Sequence, residues 1–399
     1  MKNIEAYVSE IIENVRTNGD LAIAHYAKKF DKIKLAEFEV KKDEIRKSYE
    51  LLHKDAIKAL KFAKRNIEQF AGMQLRSFKN FEMRKKGIII GQIIKPIEKV
   101  GVYVPGGNYP LPSTALMCAA TAKIAGVNNI IVCSPNIKPE TIVAADLAGA
   151  DRIFRIGGAH AIAAMAYGTK TIPKADKIVG PGNVYVTAAK KMVYGDVGTD
   201  FLAGPSEIMI IADETAESSL VAADILAQLE HDAGSKAFFL CSCGKTIEEV
   251  KGEMKSQIQS LSTKKIIEQS IKNLEIIFFE KISDAIKIAN EAAPEHLEII
   301  SKNSGEYFRR LRNYGSLFIG KNSPVAFGDY CSGTNHVLPT GKGAKFSGGL
   351  SVRDFIKVQT YQKIDSYGLK ELAPFALTLS KMEGLEAHKK SVEMRIGKK

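Results

Sequence analysis

The sequence predicts an α/β protein in which two parallel-sheet halves are flanked by helical segments at both ends. Three observations support this prediction. Apolar residues recur at three- and four-residue spacing up to about residue 75, short Ile- and Val-rich runs alternate with helical patterns from about residue 81, and helical patterns return from about residue 350. Alternation of strands and helices is typical of βαβ units on a parallel sheet.

The amino-terminal segment contains amphipathic helical stretches, namely IEAYVSEIIENV, DLAIAHYAKKF and a long one from Asp43 to Phe70. The first carries Glu5, Glu10 and Glu13 among its apolar residues, so it indicates an amphipathic helix and not a secretory signal. The sequence has no apolar run near the roughly 18 residues that a membrane helix needs. We therefore expect a cytoplasmic protein with no membrane partner.

Two series of strands and helices follow. The strands predicted in the first series are GIIIGQII, VGVYV, NIIVC and RIFRI, and the helices are TALMCAATAKIAG, PETIVAADLAGA and AHAIAAMAYG. The strands predicted in the second series are SEIMIIAD, SKAFFLC, LEIIFFE, LEIIS and GSLFIG, and the helices are SSLVAADILAQLEH, KTIEEVKGEMKSQI and ISDAIKIANEAA.

Composition excludes several classes of protein. The 399 residues include 57 Lys+Arg and 45 Asp+Glu, a net charge of +12, and 45% are hydrophobic. The lysines are scattered among acids and accompany no nucleic-acid-binding motif, so a solvated basic surface is favoured over a nucleic-acid partner. The alternative, a basic nucleic-acid-binding protein, predicts steeply salt-dependent binding. The five cysteines form no C-x-x-C pair, which argues against disulfides and a thiolate metal centre.

Glycine clusters mark three of the predicted strand-to-helix transitions, although G-x-G-x-x-G is absent. They are VPGGNYPLPST (104–114), IGGAHAIA (156–163) and VGPGNVYV (179–186). Glycine lets the backbone approach a ligand closely, and the following helix presents free N–H groups to an anion. Each cluster alone also fits a turn or a helix cap. Three on one sheet edge favour a phosphate-bearing ligand.

Two segments offer nitrogen and oxygen ligands for a metal. Gln228 and His231 are three residues apart in LAQLEHD, so a helix would place both on one face. The polar segment FGDYCSGTNHVLPT, predicted to be a loop, adds Asp329 and His336. Such a set suits zinc, manganese or cobalt. A helix cap, an Asx-turn and a hydrogen-bonded loop histidine are the alternatives.

Other candidates for chemistry lie nearer the carboxyl terminus. Glu295 and His296 are adjacent in APEHLEII and could transfer protons near neutral pH, although a surface ion pair is the simpler interpretation. Glu383 and His388 lie five residues apart in a helical tail. Cys331 lies close to Asp329 in sequence, but no base for a nucleophilic thiol can be placed.

Taken together, these segments resemble the histidinol dehydrogenase family. The matching blocks, in order, are VGVYVPGG, GPGNVYV, LAGPSEIMIIAD, LAQLEHD, APEHLEI, GDYCSGTNHVLPT, SVRDF and EGLEAH, from about Val100 to Val392. The resemblance implies a zinc enzyme that oxidises L-histidinol to L-histidine with two NAD, through an enzyme-held L-histidinaldehyde, in the last steps of histidine biosynthesis. It also implies a homodimer with one Zn²⁺ per subunit.

The resemblance also assigns roles to residues. It implies metal ligands at Gln228, His231, Asp329 and His388, the last contributed by the other subunit, so that the active site is shared. It implies that His296 is the base in alcohol oxidation and that Glu295 helps to activate water for the aldehyde step. Substrate contacts are implied at Ser206, Gln228, His231, His296, Asp329, His336, Glu383 and His388. NAD contacts are implied at Tyr103, Asn183 and His160, the last at a position that is usually Gln.

The expected organisation has four parts. Residues 1–95 form a helical segment with lead-in strands, 96–205 and 206–345 form two incomplete Rossmann-like domains on the NAD and zinc sides, and 346–399 form a helical segment that completes the partner's site. The nearest alternative enzyme is a paralogue that acts on another amino or sulfonated alcohol. Glu383 and His388, which suit histidinol, argue against it.

Overall fold

The computed structural model describes residues 2–32, 37–106, 109–201 and 204–397. The chain divides into two units, which are described separately. The first comprises Met1–Met73 and Ile97–Phe355, and the second comprises Gln74–Pro96 and Ile356–Lys399. The four-part division expected from the sequence stays a prediction.

The described residues form helices and strands in the following order. The helices are α1 (Lys2–Asn18), α2 (Asp20–Tyr26), α3 (Lys42–Leu51), α4 (Lys54–Arg76), α5 (Pro112–Ile124), α6 (Pro139–Leu147), α7 (Gly158–Tyr167), α8 (Val184–Val193), α9 (Ser218–Leu229), α10 (Gly244–Gln257), α11 (Lys264–Ser270), α12 (Ile282–Ala292), α13 (Ser304–Arg310), α14 (Val325–Tyr330), α15 (Ser366–Met382) and α16 (Glu386–Ile396). The strands are β1 (Phe81–Lys85), β2 (Ile88–Pro96), β3 (Lys99–Tyr103), β4 (Asn129–Cys133), β5 (Arg152–Phe154), β6 (Lys177–Val179), β7 (Gly198–Thr199), β8 (Glu207–Ala212), β9 (Lys236–Cys241), β10 (Leu274–Phe278), β11 (His296–Ile300), β12 (Ser316–Ile319) and β13 (Ile356–Ile364). Within this part of the chain, no helix has the length and apolarity needed to cross a bilayer.

Two five-stranded parallel sheets form the frame of the first unit, which confirms the predicted α/β class. Their strand orders are β5-β4-β3-β6-β7 and β10-β9-β8-β11-β12. In both sheets the first strand along the chain is central, and the order reverses beside it. The reversal lies between β3 and β6 in the first sheet and between β8 and β11 in the second. Ligands of open α/β sheets bind at such a reversal, outside the carboxyl ends of the strands.

Alternating side chains bury both faces of the second sheet. Ile208 and Ile210 of β8 belong to the apolar core with α9 and α10, whereas Met209 and Ile211 belong to the core with α12. Successive residues of a strand point to opposite faces, so β8 has to be apolar on both. Every residue of β8 is buried, including Glu207 at its start, and a buried acid in such a strand is unusual.

The predicted helix from Asp43 to Phe70 is in fact two helices. α3 ends at Leu51, Leu52 is extended, and α4 begins at Lys54. His53 lies between them, and its Nδ1 accepts a hydrogen bond of 3.3 Å from the Asp55 N–H. This side-chain acceptor satisfies an amide at the start of α4, where no earlier helical carbonyl is available.

The expectation of an entirely helical carboxyl-terminal segment is wrong. Ile356–Ile364 form β13, which pairs with β2 over nine residues in an antiparallel sheet of order β1-β2-β13. Residues Ile356, Val358 and Ile364 fall on alternate positions of IKVQTYQKI, a period of two that favours a strand. α15 and α16 then follow in this second unit.

Candidate active site

Glu295 and His296 lie at the amino end of β11 and are held against the start of β8. Both are buried, at 6% and 4% exposure. Glu295 Oε2 accepts a hydrogen bond of 2.9 Å from the Glu207 N–H, and His296 Nδ1 lies 3.2 Å from the Glu207 carbonyl oxygen. A carbonyl oxygen only accepts, so Nδ1 carries the proton. The second nitrogen, Nε2, is left for chemistry and faces Asp329 Oδ1 at 3.5 Å.

The net effect of burial and neighbouring charges is to raise the pKa values of both Glu295 and His296. Burial raises the pKa of Glu295 to about 7, against the opposing effect of His296. Burial lowers the pKa of His296, but the carboxylates of Glu295 and Asp329 outweigh it and raise this pKa to about 9. The pKa of Asp329 itself is lowered, because the imidazoles around it outweigh its burial. The simple surface ion pair is therefore excluded by the burial of both side chains.

Asp329 and His336 come from the segment that was predicted to be a loop. The prediction is wrong for its first part, since Asp329 lies in the short helix α14, and residues 332–340 are irregular. His336 Nδ1 donates to the Asp329 carbonyl oxygen at 2.7 Å, and Nε2 lies 3.2 Å from Thr114 Oγ1. With Nδ1 protonated, Nε2 accepts from the Thr114 hydroxyl. Burial lowers the pKa of His336, which keeps it neutral.

The same segment is anchored on α5, which follows the first sheet. Asn335 Nδ2 donates to the Met117 carbonyl oxygen at 3.0 Å, and Thr114 is in the first turn of α5. α5 begins at the carboxyl edge of the first sheet, whereas Glu295 and His296 lie at the amino edge of the second. The candidate site therefore lies where these two opposite edges meet.

The spacing of Gln228 and His231 predicted that both lie on one face of a helix, and this prediction is wrong. α9 ends at Leu229, so Gln228 is in its last turn and His231 lies beyond it. Gln228 is buried, and its Nε2 finds no hydrogen-bond partner among the described residues. His231 is exposed, and desolvation by nearby protein lowers its pKa against the opposing effect of Asp329. Asp329 thus acts electrostatically on His231, His296 and His336.

The predicted cofactor residues lie at the carboxyl edge of the first sheet. Tyr103 ends β3, and its hydroxyl accepts a hydrogen bond of 3.1 Å from the Gly158 N–H at the start of α7. Asn183 caps α8, accepting from the N–H groups of Tyr185 and Val186. The three glycine clusters fall on β3–α5, β5–α7 and β6–α8, as predicted, although Gly107 and Asn108 lie outside the described residues.

His160 is buried below this edge, at 1% exposure, in α7. The rings of Tyr26 and Phe30 lie 5.8 and 6.1 Å from its ring, and Asp31 Oδ2 is 4.0 Å from Nε2. Neither ring nitrogen has a hydrogen-bond partner in the described part of the chain. Burial lowers the pKa of His160 to about 3, so the ring is neutral. Its contact with a cofactor stays a prediction.

Of the remaining predicted residues, Ser206 directly precedes Glu207, and Glu383 and His388 belong to the second unit. Ser206 is half-buried just before β8, and its carbonyl oxygen accepts from the Lys236 N–H at 3.0 Å. Glu383 follows α15 and His388 is in α16, both exposed in the second unit. Among the described residues of a single chain, no three His, Cys, Asp or Glu side chains form a group that could hold a metal.

Sequence reasoning missed Glu207 and Thr114. Glu207 Oε1 accepts from the Gly341 N–H at 3.0 Å, while its own backbone holds both Glu295 and His296. An acid at the start of an otherwise apolar strand was the available signal for Glu207. Thr114 had no such signal, because its partner His336 is 222 residues away in sequence.

Comparison with known proteins identifies the family. The family model for histidinol dehydrogenase matches residues 1–396. The chain is 45% identical over 394 residues to histidinol dehydrogenase from Methanocaldococcus jannaschii and 47% identical over 393 residues to that from Methanococcus maripaludis; each match covers 98% of this chain and 92% of the relative. A crystal structure of histidinol dehydrogenase from Elizabethkingia anophelis matches with a TM-score of 0.94 at 38% identity, covering 98% of this chain and 92% of that one. The chain therefore belongs to the histidinol dehydrogenase family of NAD-dependent oxidoreductases in histidine biosynthesis.

Proposed function

We propose that this protein carries out the zinc-dependent, NAD-linked, four-electron oxidation of L-histidinol to L-histidine through an enzyme-held L-histidinaldehyde. It works as a cytoplasmic homodimer with one Zn²⁺ per subunit and an active site shared between subunits. The observation that carries the proposal is the arrangement of His296, whose Nδ1 is protonated against a backbone carbonyl while Nε2 is left to accept a proton.

His296 is the base of the first oxidation. Hydride can leave the carbinol carbon only as the hydroxyl proton is removed, so a base has to lie within hydrogen-bond reach. The pKa of about 9 belongs to a state in which Glu295 and Asp329 both act on the imidazole. A cation held by Asp329 would offset the charge of that carboxylate and so would lower the pKa of His296, which favours Nε2 as a proton acceptor.

Glu295 serves the second oxidation. The aldehyde carbon has to gain an oxygen from water before it can lose its second hydride, and a carboxylate can take the proton of that water. Burial raises the pKa of Glu295 to about 7, so both the acid and the carboxylate form are accessible near neutral pH. The Glu207 N–H holds one carboxylate oxygen in place.

The chain has suitable ligands for zinc in Gln228, His231 and Asp329, with His388 of the partner subunit as the fourth. Metal ligands have to be deprotonated, and the lowered pKa values of His231 and Asp329 meet that requirement. A glutamine binds a metal through its side-chain oxygen, and the buried side chain of Gln228 lies in the last turn of α9, close in sequence to His231. When bound, zinc orients and polarises the imidazole and amine of the substrate.

The remaining assignments follow the same proposal. Tyr103, His160 and Asn183 contact NAD, which accepts one hydride in each oxidation. The substrate contacts are Ser206, Gln228, His231, His296, Asp329 and His336, with Glu383 and His388 of the partner subunit. The glycine-rich turn before α8 supports the nucleotide assignment, because glycine lets the backbone approach an anionic phosphate closely.

The test combines metal analysis with a histidinol-dependent NADH assay. We expect about one zinc per subunit, NADH formation with L-histidinol, loss of activity with a chelator and recovery with zinc. A folded, zinc-loaded protein that forms no NADH from histidinol would overturn the proposal. A panel of other amino and sulfonated alcohols, compared by kcat/KM, tests the paralogue alternative.

Mixing two inactive variants tests the shared site. His231→Asn and His388→Asn should each lose zinc and activity, because each removes one ligand. If His388 acts across the dimer, a mixture that exchanges subunits should regain activity, since one of its sites keeps both histidines. No recovery after proven exchange of subunits would contradict the shared site.

A further inference from the structure

Lys190 and Asp200 form a buried ion pair directly behind the glycine-rich turn Gly180–Asn183. Their side chains are 3% and 0% exposed, and Lys190 Nζ lies against Asp200 Oδ1. Lys190 belongs to α8, which follows the turn, and Asp200 follows β7. Charges so far from solvent are costly to bury unless their hydrogen bonds are satisfied, so their partners indicate what the pair is for.

Both charges bind the backbone of one residue, Gly180. The Gly180 N–H donates to Asp200 Oδ2 at 2.8 Å, and the Gly180 carbonyl oxygen accepts from Lys190 Nζ at 2.9 Å. Lys190 Nζ also donates to the Phe201 carbonyl oxygen at 3.2 Å. The pair therefore holds both backbone polar groups of the residue at which the turn leaves β6.

Gly180 also has a backbone conformation that requires such support. Its φ of +117° is one that residues with a side chain rarely adopt, and a Cβ there would lie 2.1 Å from the Tyr103 carbonyl oxygen. β3 and β6 are neighbours at the reversal of strand order, so Gly180 lies against the end of β3. The Tyr103 hydroxyl in turn accepts from the Gly158 N–H of α7. The ion pair thus holds Gly180, which lies close to the end of β3 on the other side of the reversal.

We propose that Lys190 and Asp200 are positioning residues that hold the Gly180–Asn183 turn in the conformation that binds the phosphates of NAD. This inference rests on the proposed function, because it takes the turn as part of the nucleotide site. Neither residue reaches the candidate site at Glu295 and His296 through a described hydrogen bond. Their loss should therefore weaken cofactor binding without changing the zinc site.

The test replaces the pair by apolar residues of similar size, Lys190→Met with Asp200→Leu. Such a replacement of a buried ion pair often preserves folding. We expect the Kd for NADH, measured by NADH fluorescence, and the KM for NAD to rise about tenfold or more, whereas zinc content and the KM for L-histidinol stay unchanged. An unchanged Kd for NADH in the folded double variant would overturn the inference.

Two further variants keep the result interpretable. Lys177→Met with Asp354→Leu is the matched control, because Lys177 Nζ lies 3.3 Å from Asp354 Oδ1 and the two form another ion pair. Lys177 starts β6, so this pair lies at the opposite edge of the sheet from Gly180. Its Kd for NADH should equal that of the wild type. If the double variant at Lys190 and Asp200 does not fold, Lys190→Gln with Asp200→Asn decides, because it removes both charges and keeps polar side chains of similar size. It should raise the Kd for NADH severalfold, and an unchanged Kd would equally overturn the inference.

Failure of the proposed function gives a different result. In that case the wild-type protein itself would not bind NADH or oxidise histidinol. If the wild type does both and the variants bind NADH equally well, only the inference about Lys190 and Asp200 fails.

Discussion

His296 is defined by its two different nitrogen environments. Nδ1 is occupied by the Glu207 carbonyl oxygen, and Nε2 faces Asp329. The sequence placed His296 beside Glu295, and that adjacency was enough to name both as candidates for proton transfer. The adjacency of the two residues contained no information on the tautomer of His296, which depends on Glu207, 89 positions away in sequence. The neighbouring groups of each nitrogen determine its role in the reaction.

Separate assays of the two oxidations should distinguish His296 from Glu295. His296→Asn should lower the rate of NADH formation from histidinol on the order of 10²- to 10⁴-fold, because it removes the proton acceptor. Glu295→Gln should act mainly on NADH formation from histidinaldehyde, because it removes the carboxylate that activates water. Both variants should retain zinc. Equal losses of the two activities in both variants would contradict this division of roles.

At the scale of elements, β11 carries a second buried acid on the same face as His296. Glu298 is 1% exposed and interacts with Asp224 on α9. Burial and the Asp224 carboxylate raise the pKa of Glu298 to about 9, and burial raises that of Asp224 to about 6. At neutral pH Glu298 is therefore protonated and can donate to the Asp224 carboxylate, which joins β11 to the helix that carries Gln228.

This pair makes the stability of the fold depend on pH. The folded protein retains a proton on Glu298 that the unfolded chain releases above pH 4.5, so the contribution of Glu298 to the free energy of unfolding falls as pH rises from 4.5 to about 9. Glu298→Gln keeps a donor to Asp224 and cannot lose a proton. The stability of the variant relative to the wild type should therefore increase with pH, by at most about 1.4 kcal/mol per pH unit.

Urea unfolding across this pH range measures the difference. Glu291→Gln on α12 is the control, because Glu291 is exposed and the substitution removes the same charge. Its stability relative to the wild type should change far less with pH. A difference between Glu298→Gln and wild type that does not vary with pH would show that Glu298 is ionised in the folded protein.

At the scale of the whole molecule, the second unit exposes an apolar stripe on α15. Leu372, Phe375, Leu379 and Met382 share one helix face and are 39%, 70%, 57% and 77% exposed. Apolar patches of this kind mark protein–protein contacts. A second copy of the chain is the partner that the proposed function requires, because that proposal assigns the fourth zinc ligand to His388 of the partner subunit.

Negative charges in the stripe should therefore dissociate the dimer and abolish zinc binding. Phe375→Asp with Leu379→Asp should give monomers by analytical ultracentrifugation, with loss of zinc and of histidinol oxidation. Lys370→Asp, on the opposite face of the same helix, should remain dimeric and active. Monomers that keep zinc and activity would contradict a shared site. A double variant that stays dimeric would show that the dimer interface does not include the stripe on α15.

Short-range patterns allowed the α/β class to be predicted and failed at specific places. Ile356–Ile364 had a two-residue period within a region that was otherwise helical, and the pairing with β2 makes it a strand. The spacing of Gln228 and His231 suggested one helix face, but α9 ends between them. The sequence pattern shows residue types and their period. The residue at which a helix or strand ends depends in addition on capping and on packing against distant segments.

The sequence by itself determined the residue types, the alternation of strands and helices and the motif blocks that mark the family, because these are local properties of the chain. Only the tertiary structure decided that the amino edge of the second sheet meets the carboxyl edge of the first, joined through His336 and Thr114. It also decided which nitrogen of His296 is protonated and that Lys190 and Asp200 are buried behind Gly180. The physical reason is that burial, pKa and hydrogen-bond partners depend on residues far apart in sequence, which no local period encodes.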